Sequence, residues 1–487
     1  MEQSHENIDG KHQEGWRTLL TGKNLCLTLA LSGGICLHAI NVYITITTLP
    51  SVVRDIGGID FYAWNTTLFI LSSIISSALT SRLLNYFGPR KSYGLATLIF
   101  LIGSMVCAMT PSMPIMLLGR VIQGVGGGIL LTLSYSMVHI VFAQHLWSRV
   151  LAMMSSMWGM ATLLGPALGG IFAEYDVWRG AFWCLVVVGI PYLWLTWRVL
   201  PAQNPNEQCP QQPIPLQALL LLSFAVLAIS LGSLSQDKFI PIGGMLIAIL
   251  LCVRLVIIER RGHNTLFPHG TFHFSAQLAP IYLTMALLGL SVQTEVFVPY
   301  FLQILHGVAP LLSGYLAALV GAGWSSAAIL SSSFKPNIAV RIIRLGPLFT
   351  LIGLITLALF MTKIIQLEQL QIWIICLALF ITGASIGAAW PHLLTRVLQV
   401  SVGSESQKAS SAITTLQLFS TAFGASLAGM IANLAGLSVP GGMDGAKSAS
   451  LWLFVLFSLV PCFALITANI VANRVNLSSK NEQEGHK

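Results

Sequence analysis

Residues 117–130 read LLGRVIQGVGGGIL, an apolar run carrying one cation, Arg120, one amide, Gln123, and the glycines Gly124, Gly126, Gly127 and Gly128. A Gly-rich phosphate loop follows a strand and opens a helix. Here apolar residues continue on both sides, from 114 to 140, without a break. The stretch therefore reads as one long apolar helix whose glycines permit close helix packing. At 1.5 Å per residue its arginine sits about 9 Å inside one end. A cation at that depth is costly in hydrocarbon unless it faces protein, water or a carboxylate, and so marks a functional position by default. Snorkelling to the surface is the plain alternative.

The rest of the chain has the same character. Of its 487 residues 55% are hydrophobic and 9% charged, and the mean hydropathy is +0.78. A soluble protein carries roughly a quarter of its residues as charges, so a soluble enzyme and a disordered scaffold are both excluded. A bilayer core of about 30 Å asks for roughly 20 apolar residues per helix. Runs of that length fall at 24–49, 61–84, 92–110, 114–140, 149–174, 178–200, 215–234, 238–258, 277–305, 308–332, 342–363, 369–395, 407–435 and 449–473. Barrel strands alternate over about ten residues instead. The expected fold is an all-α membrane protein of fourteen transmembrane helices.

An even count places both termini on one side, and cations mark the cytoplasmic one. Of the 25 Lys and Arg, Arg54, Arg179, Lys238, Lys363 and Lys447 fall on the opposite side, Arg120 lies within a span, and the others face the terminal side. Both termini are expected in the cytoplasm of a multi-pass protein of the plasma membrane, or the inner membrane in a bacterium. The net charge of +8 is dispersed at helix ends rather than clustered on one face, which argues against a nucleic-acid partner. The cysteines form no CxxC pair and lie mainly inside apolar runs, with Cys209 in a loop, so they read as packing residues. Residues 1–23 form a polar tail without the features of a secretory signal.

Composition breaks at PAQNPNEQCPQQPIP, 201–215, too rich in Pro and amides to continue a helix. A second polar stretch, 259–276, isolates two spans. The expected order is a tail (1–23), a six-helix bundle (24–200), a Pro-rich loop (201–214), two inserted helices (215–258), a loop (259–276), a second six-helix bundle (277–474) and a cytoplasmic tail (475–487). The bundles show a weak repeat. Arg82 and Gly88-Pro89 after span two match Arg341 and Gly346-Pro347 after span ten, and Gly165 to Gly170 resembles Gly424 to Gly429. Duplicated halves suit rocking about a central site.

Three further features bear on function. SRLLNYFGPRKSY, 81–93, sets a tight Gly88-Pro89 turn beside cations that can bond the last carbonyls of span two; plain positive-inside charge is the simpler account. MWGMATLLGPALGG in span five carries Gly159, Gly165, Pro166, Gly169 and Gly170, a bendable helix that admits another backbone closely and can act as hinge or seal. Glu295, within LGLSVQTEVFVPYF, is the one acidic residue deep inside a span. It lies about 15 Å from the outer end, against about 9 Å for Arg120 and about 14 Å for Asn41, depths that permit contact.

These features together resemble the major facilitator superfamily, and fourteen spans with a two-helix insert resemble its drug:proton antiporter branch. Residues 81–91, with Asn85, Gly88, Arg90 and Lys91, are similar to the family's gating-loop motif. Arg120, Gln123 and Gly124 match its fourth-helix motif, and Gly159, Gly165-Pro166 and Gly169-Gly170 its fifth-helix antiporter motif. Trp178-Arg179 and Phe182 also fit. The motifs cover the first 200 residues or so, the span count the whole chain. The resemblance implies two six-helix bundles plus two extra central helices, and alternating access without a nucleotide site. Two departures stand out. Ser81 and Asn85 replace the loop motif's usual Gly and Asp, and Asn41 stands where, counting back from Leu49-Pro50, the branch carries a first-helix Asp. An amide releases no proton, so the usual coupling site is missing.

Glu295 is the replacement candidate, because a buried carboxyl opening to alternate sides can take up and release a proton. Anchoring a cationic substrate and bonding a buried donor are its other readings. Arg120 and His38 complete the expected proton-coupling set, although His38 also reads as a structural histidine. Central helices come first and fourth in each half, so Asn41, Tyr43, Gln123, Phe297, Tyr300 and Trp390 are expected at a substrate cavity; core packing is the alternative for the aromatics. His263, His269 and His273 lack helical metal-ligand spacing, and no cofactor, metal or catalytic motif is expected. The expected activity is proton-coupled efflux of small lipophilic or cationic compounds by a monomer in a lipid bilayer. A specific metabolite or siderophore transporter, working by uptake, export or uniport, and a non-transporting receptor are the rivals.

Overall fold

In hydrocarbon an unpaired backbone N–H or C=O finds no water, so each apolar run must satisfy itself as helix. The computed structural model describes residues 17–19, 21–143, 146–202, 215–235, 237, 239–262, 265–269, 271–273, 277–367, 370–401 and 405–484. Most of the N-terminal tail, the loop at 203–214 with Cys209, and His263 lie outside them. Among the described residues every regular element is helical. The first five long helices are α1 (Gly22–Ile56), α2 (Trp64–Ala108), α3 (Met113–Val141), α4 (Trp147–Glu174) and α5 (Arg179–Val199). The inserted pair is α6 (Leu216–Gly232) and α7 (Phe239–Arg261). Then follow α8 (Leu278–Ser291), α9 (Val298–His306), α10 (Pro310–Ser331), α11 (Pro336–Phe360), α12 (Gln371–Val400), α13 (Glu405–Leu434) and α14 (Gly442–Glu484). Prolines open α3, α9, α10 and α11 in the first turn, where a missing N–H costs nothing.

Among the described residues 12 helical segments are long and apolar enough to cross a membrane. One of them, Ile59–Ala108, has 50 residues, about 75 Å at 1.5 Å each and more than twice the bilayer core. It breaks at Gly88, whose φ of 73° and ψ of 173° fall in a region open essentially to glycine. The Gly88-Pro89 turn thus sits where the sequence places it. Helix α6, apolar and 17 residues long, is shorter than any of those 12 segments.

Three elements differ from expectation. Arg341 and Gly346-Pro347 belong to no loop; they lie inside α11, which already begins at Pro336. Gly346 serves packing, since a Cβ there would stand 3.1 Å from the Ser385 carbonyl oxygen. The span at 277–305 is not one helix but α8, a six-residue 3-10 stretch Val292–Phe297, and α9. Its local polar side chains draw on the carbonyl ladder: the Ser291 hydroxyl donates to Leu287 O at 2.8 Å and Gln293 Nε2 to Gly289 O at 2.9 Å, which loosens regular α geometry. Finally, α14 runs on to Glu484, through most of the expected C-terminal tail.

The chain forms two compact units, Met1–Thr48 with Ser72–Ile214, and Leu49–Leu71 with Pro215–Lys487. The second therefore contains the inserted pair and also the end of α1 and the start of α2. In the first unit α3 packs on α2 through its glycines: a Cβ at Gly126 would strike the backbone of Ala96 and Phe100, and one at Gly128 the backbone of Ser73. In the second, α10 and α12 meet in the same way, Gly383 against the Val320 carbonyl and Gly387 against that of Trp324. The repeat reappears as packing. Gly165 of α4 lies on Tyr43 of α1, and Gly424 of α13 lies on Gln293 in the broken span.

Candidate functional site

Arg120 is 1% exposed on α3, and its position is set by amides. Its Nη1 donates to Asn41 Oδ1 at 3.2 Å and to Gln123 Oε1 at 2.7 Å. Gln123 Nε2 donates to the same Asn41 Oδ1 at 3.2 Å and to Ser104 Oγ at 2.9 Å. Cys107 Sγ, 3.5 Å away, donates to Gln123 Oε1. Gln123 thus spends both amide hydrogens and accepts two more bonds, fixing the arginine between α1 and α3. The cluster joins Asn41, Arg120 and Gln123. Ser104 and Cys107, one helical turn apart on α2, escaped sequence reading; nothing but their spacing signals them. Asn41 Nδ2 is buried with no hydrogen-bond acceptor among the described residues, an orphan donor beside a buried cation.

One turn from Asn41, His38 is fully buried with its ring edge-on to Trp158, centroids 6.0 Å apart. Tyr43 is half-buried and faces α4. On α4, Gly165 and Gly169 lie against residues 40–47 of α1: a Cβ at Gly169 would stand 3.0 Å from Ile44 O. Gly170 is also buried, Pro166 stays within the helix, and Gly159 faces open space. In segment 81–91 Arg90 serves another helix than expected. Its Nε donates to Leu200 O at 2.9 Å and its backbone N to Pro201 O at 3.2 Å, so it caps the end of α5 rather than span two. Asn85 is half-buried and Lys91 exposed.

In the second unit Glu295 is half-buried in the 3-10 stretch, eleven residues before the end of its span at His306. A 3-10 interruption within a helix commonly marks a hinge, so this carboxyl stands where backbone geometry changes. Phe297 is fully buried, stacked at 4.9 Å on Tyr62 and at 5.9 Å on Phe301. Tyr300 is 7% exposed and edge-on to Tyr62 at 5.5 Å. Trp390 takes Trp324 as its ring partner at 5.2 Å. Tyr62, which belongs to segment Leu49–Leu71, was not singled out by sequence. Its loop position hides a tertiary role that periodicity does not encode. Among the described residues no His, Cys, Asp and Glu cluster can hold a metal.

Comparison with known proteins agrees with this architecture. The sequence profile of the Major Facilitator Superfamily matches residues 31–425. A probable multidrug-efflux transporter of Mycobacterium tuberculosis is 34% identical over 466 residues, 94% of this chain and 97% of the relative. Multidrug resistance protein 3 of Bacillus subtilis is 23% identical over 321 residues, 65% of this chain and 62% of the relative. Among solved structures a D-xylose-proton symporter superposes with a TM-score of 0.62 at 15% identity, covering 92% of this chain and 97% of that one; this likeness concerns the fold alone.

Proposed function

The chain belongs to the Major Facilitator Superfamily, and from that premise we propose that it exports small lipophilic or cationic organic compounds by alternating access, driven by proton entry through Glu295. The observation that carries this reading is Glu295 itself, placed in the interrupted middle of its span. Proton entry supplies about 2.3 kcal/mol per charge per 100 mV, and no nucleotide is needed. The relative named a probable multidrug-efflux transporter supports the direction and the substrate class. Arg120, Asn41 and Gln123 form a buried, mutually hydrogen-bonded polar cluster in the first unit, in which Asn41 Nδ2 keeps a donor without an acceptor among the described residues.

We further infer fourteen spans, counting Ile59–Ala108 twice for its break at Gly88 and including the short α6, with both termini cytoplasmic in the plasma membrane. Uncoupled transport of one specific metabolite is the second reading. Asn41 favours it, because its place in the Arg120 cluster is filled by an amide that exchanges no proton. Dye accumulation into inside-out proteoliposomes separates the two. Under the export reading an inside-acid gradient drives uptake of a lipophilic cationic dye, and both gradient collapse and Glu295→Gln reduce it at least tenfold. Gradient-independent flux unchanged in Glu295→Gln would establish the second reading instead.

A further inference from the structure

The inserted pair is fixed to α13. Ala225 and Ile229 of α6, Ala248 of α7 and Met430 of α13 share one buried apolar cluster. Beside it, two polar residues of α13 tie this body to the segment Leu49–Leu71. Ser426 is 2% exposed, and its single hydroxyl proton goes to Ala422 O at 2.8 Å. Its lone pairs are then left to accept the Ser230 hydroxyl of α6 at 2.8 Å and the Thr67 hydroxyl of α2 at 3.2 Å. Asn433, two turns further on and 3% exposed, repeats the arrangement. The two hydrogens of its Nδ2 have two carbonyl acceptors, Asp60 O at 2.9 Å and Ser233 O at 3.1 Å. Between them Gly429 lets the backbones approach, since a Cβ there would stand 2.5 Å from that of Ala63. Residues 426, 429 and 433 lie on one face of α13.

We propose that this knot is a latch of the transport cycle: the inserted pair and α13 together clasp residues 60–67, and the clasp opens once in every turnover. The proposal rests on the transport reading above. Segment Leu49–Leu71 continues without a break into the parts of α1 and α2 that belong to the first unit, so a rigid-body motion of that unit pulls on the clasp. Hydrogen bonds near 3 Å do not survive bundle displacements of several ångströms. Their chemistry suits repeated opening, because the bonds join neutral hydroxyls, an amide and carbonyls, each individually weak, and no buried ion pair has to be broken.

Two measurements test it. Thr67→Cys with Ser426→Cys, oxidised to a disulfide in proteoliposomes, is expected to lose at least tenfold in flux and to recover on reduction; a cross-linked protein carrying substrate at its reduced rate would overturn the latch. The second needs no substrate. Ser51, on the same segment as the clasped stretch 60–67, is 4% exposed, and its hydroxyl has no hydrogen-bond partner among the described residues, so Ser51→Cys is a mild reporter. Adding Asn433→Ala, or Ser426→Ala if that variant does not fold, is expected to raise its labelling by a hydrophilic maleimide in detergent at least threefold over Ser51→Cys alone. Unchanged labelling in a folded double variant would overturn the proposal. A reduced protein that moves no compound would sink the transport reading, while the labelling still decides the latch.

Discussion

Arg120 is held by the oxygens of two neutral amides, and that geometry dictates how substitutions act. One Nη1 serves both Asn41 and Gln123, an arrangement that needs the planar reach of a guanidinium. Arg120→Lys keeps the charge but shortens the side chain and replaces the fork by a compact ammonium. A hydrogen bond to a charged group contributes about 1.5–3 kcal/mol, so flux in proteoliposomes is expected to fall about tenfold or more while folded yield holds. Yield and flux both unchanged would contradict a positioned arginine. Gln123→Leu is expected to do more harm, because it strands partners on α1, α2 and α3 at once. Arg120, Gln123 and Glu295 were legible in the sequence because ionisable and amide groups are conspicuous in apolar runs. Ser104 and Cys107 were not: small polar residues recur throughout these helices, and only the fold decides which ones face the arginine. Nor does hydropathy distinguish a 3-10 turn at Glu295 from continuous α-helix, since both bury the same residues.

At the scale of elements, glycines that read alike in sequence prove unlike in structure. Gly159 and Gly165 lie on the same α4, yet a Cβ at Gly165 would strike that of Tyr43 while Gly159 meets nothing within 4 Å. Gly165→Ala is therefore expected to force α4 off α1, lower the thermal midpoint in detergent and cut flux, whereas Gly159→Ala leaves both near wild type. Equal effects would refute this division of the motif. Gly88 is constrained differently, by φ of 73° rather than by a neighbour. Strain in such a region costs about 1–3 kcal/mol, so Gly88→Ala is expected to lower the thermal midpoint by several degrees; an unshifted midpoint would contradict the strain. The Gly-Pro pair at 88 announced a turn correctly, while the same pair at 346 lies in mid-helix. Proline and glycine permit a break; the backbone conformation available at the site decides whether one forms.

For the whole molecule, the apolar runs and the family resemblance made the helical membrane architecture legible; the second unit resumes at Pro215, after the loop at 201–214. The assignment of Leu49–Leu71 to that unit was not legible, because chain order says nothing about which neighbours a helix end touches. The proposed topology places α6 and α7 across the bilayer with their connecting turn outside. Asp237→Cys, exposed in that turn, is expected to react with an impermeant thiol reagent applied to intact cells, and Ser332→Cys, exposed after α10, only in inside-out vesicles; the reverse pattern would invert the orientation. Coupling is measured most directly as proton movement on addition of substrate to protein reconstituted without any imposed gradient, followed by a pH indicator. Wild type is expected to alkalinise the lumen in step with substrate entry, and Glu295→Gln to carry substrate downhill with no proton signal. Substrate flux with no accompanying proton movement in wild type, or an undiminished proton signal in Glu295→Gln, would contradict the assignment of Glu295 as the coupling carboxyl.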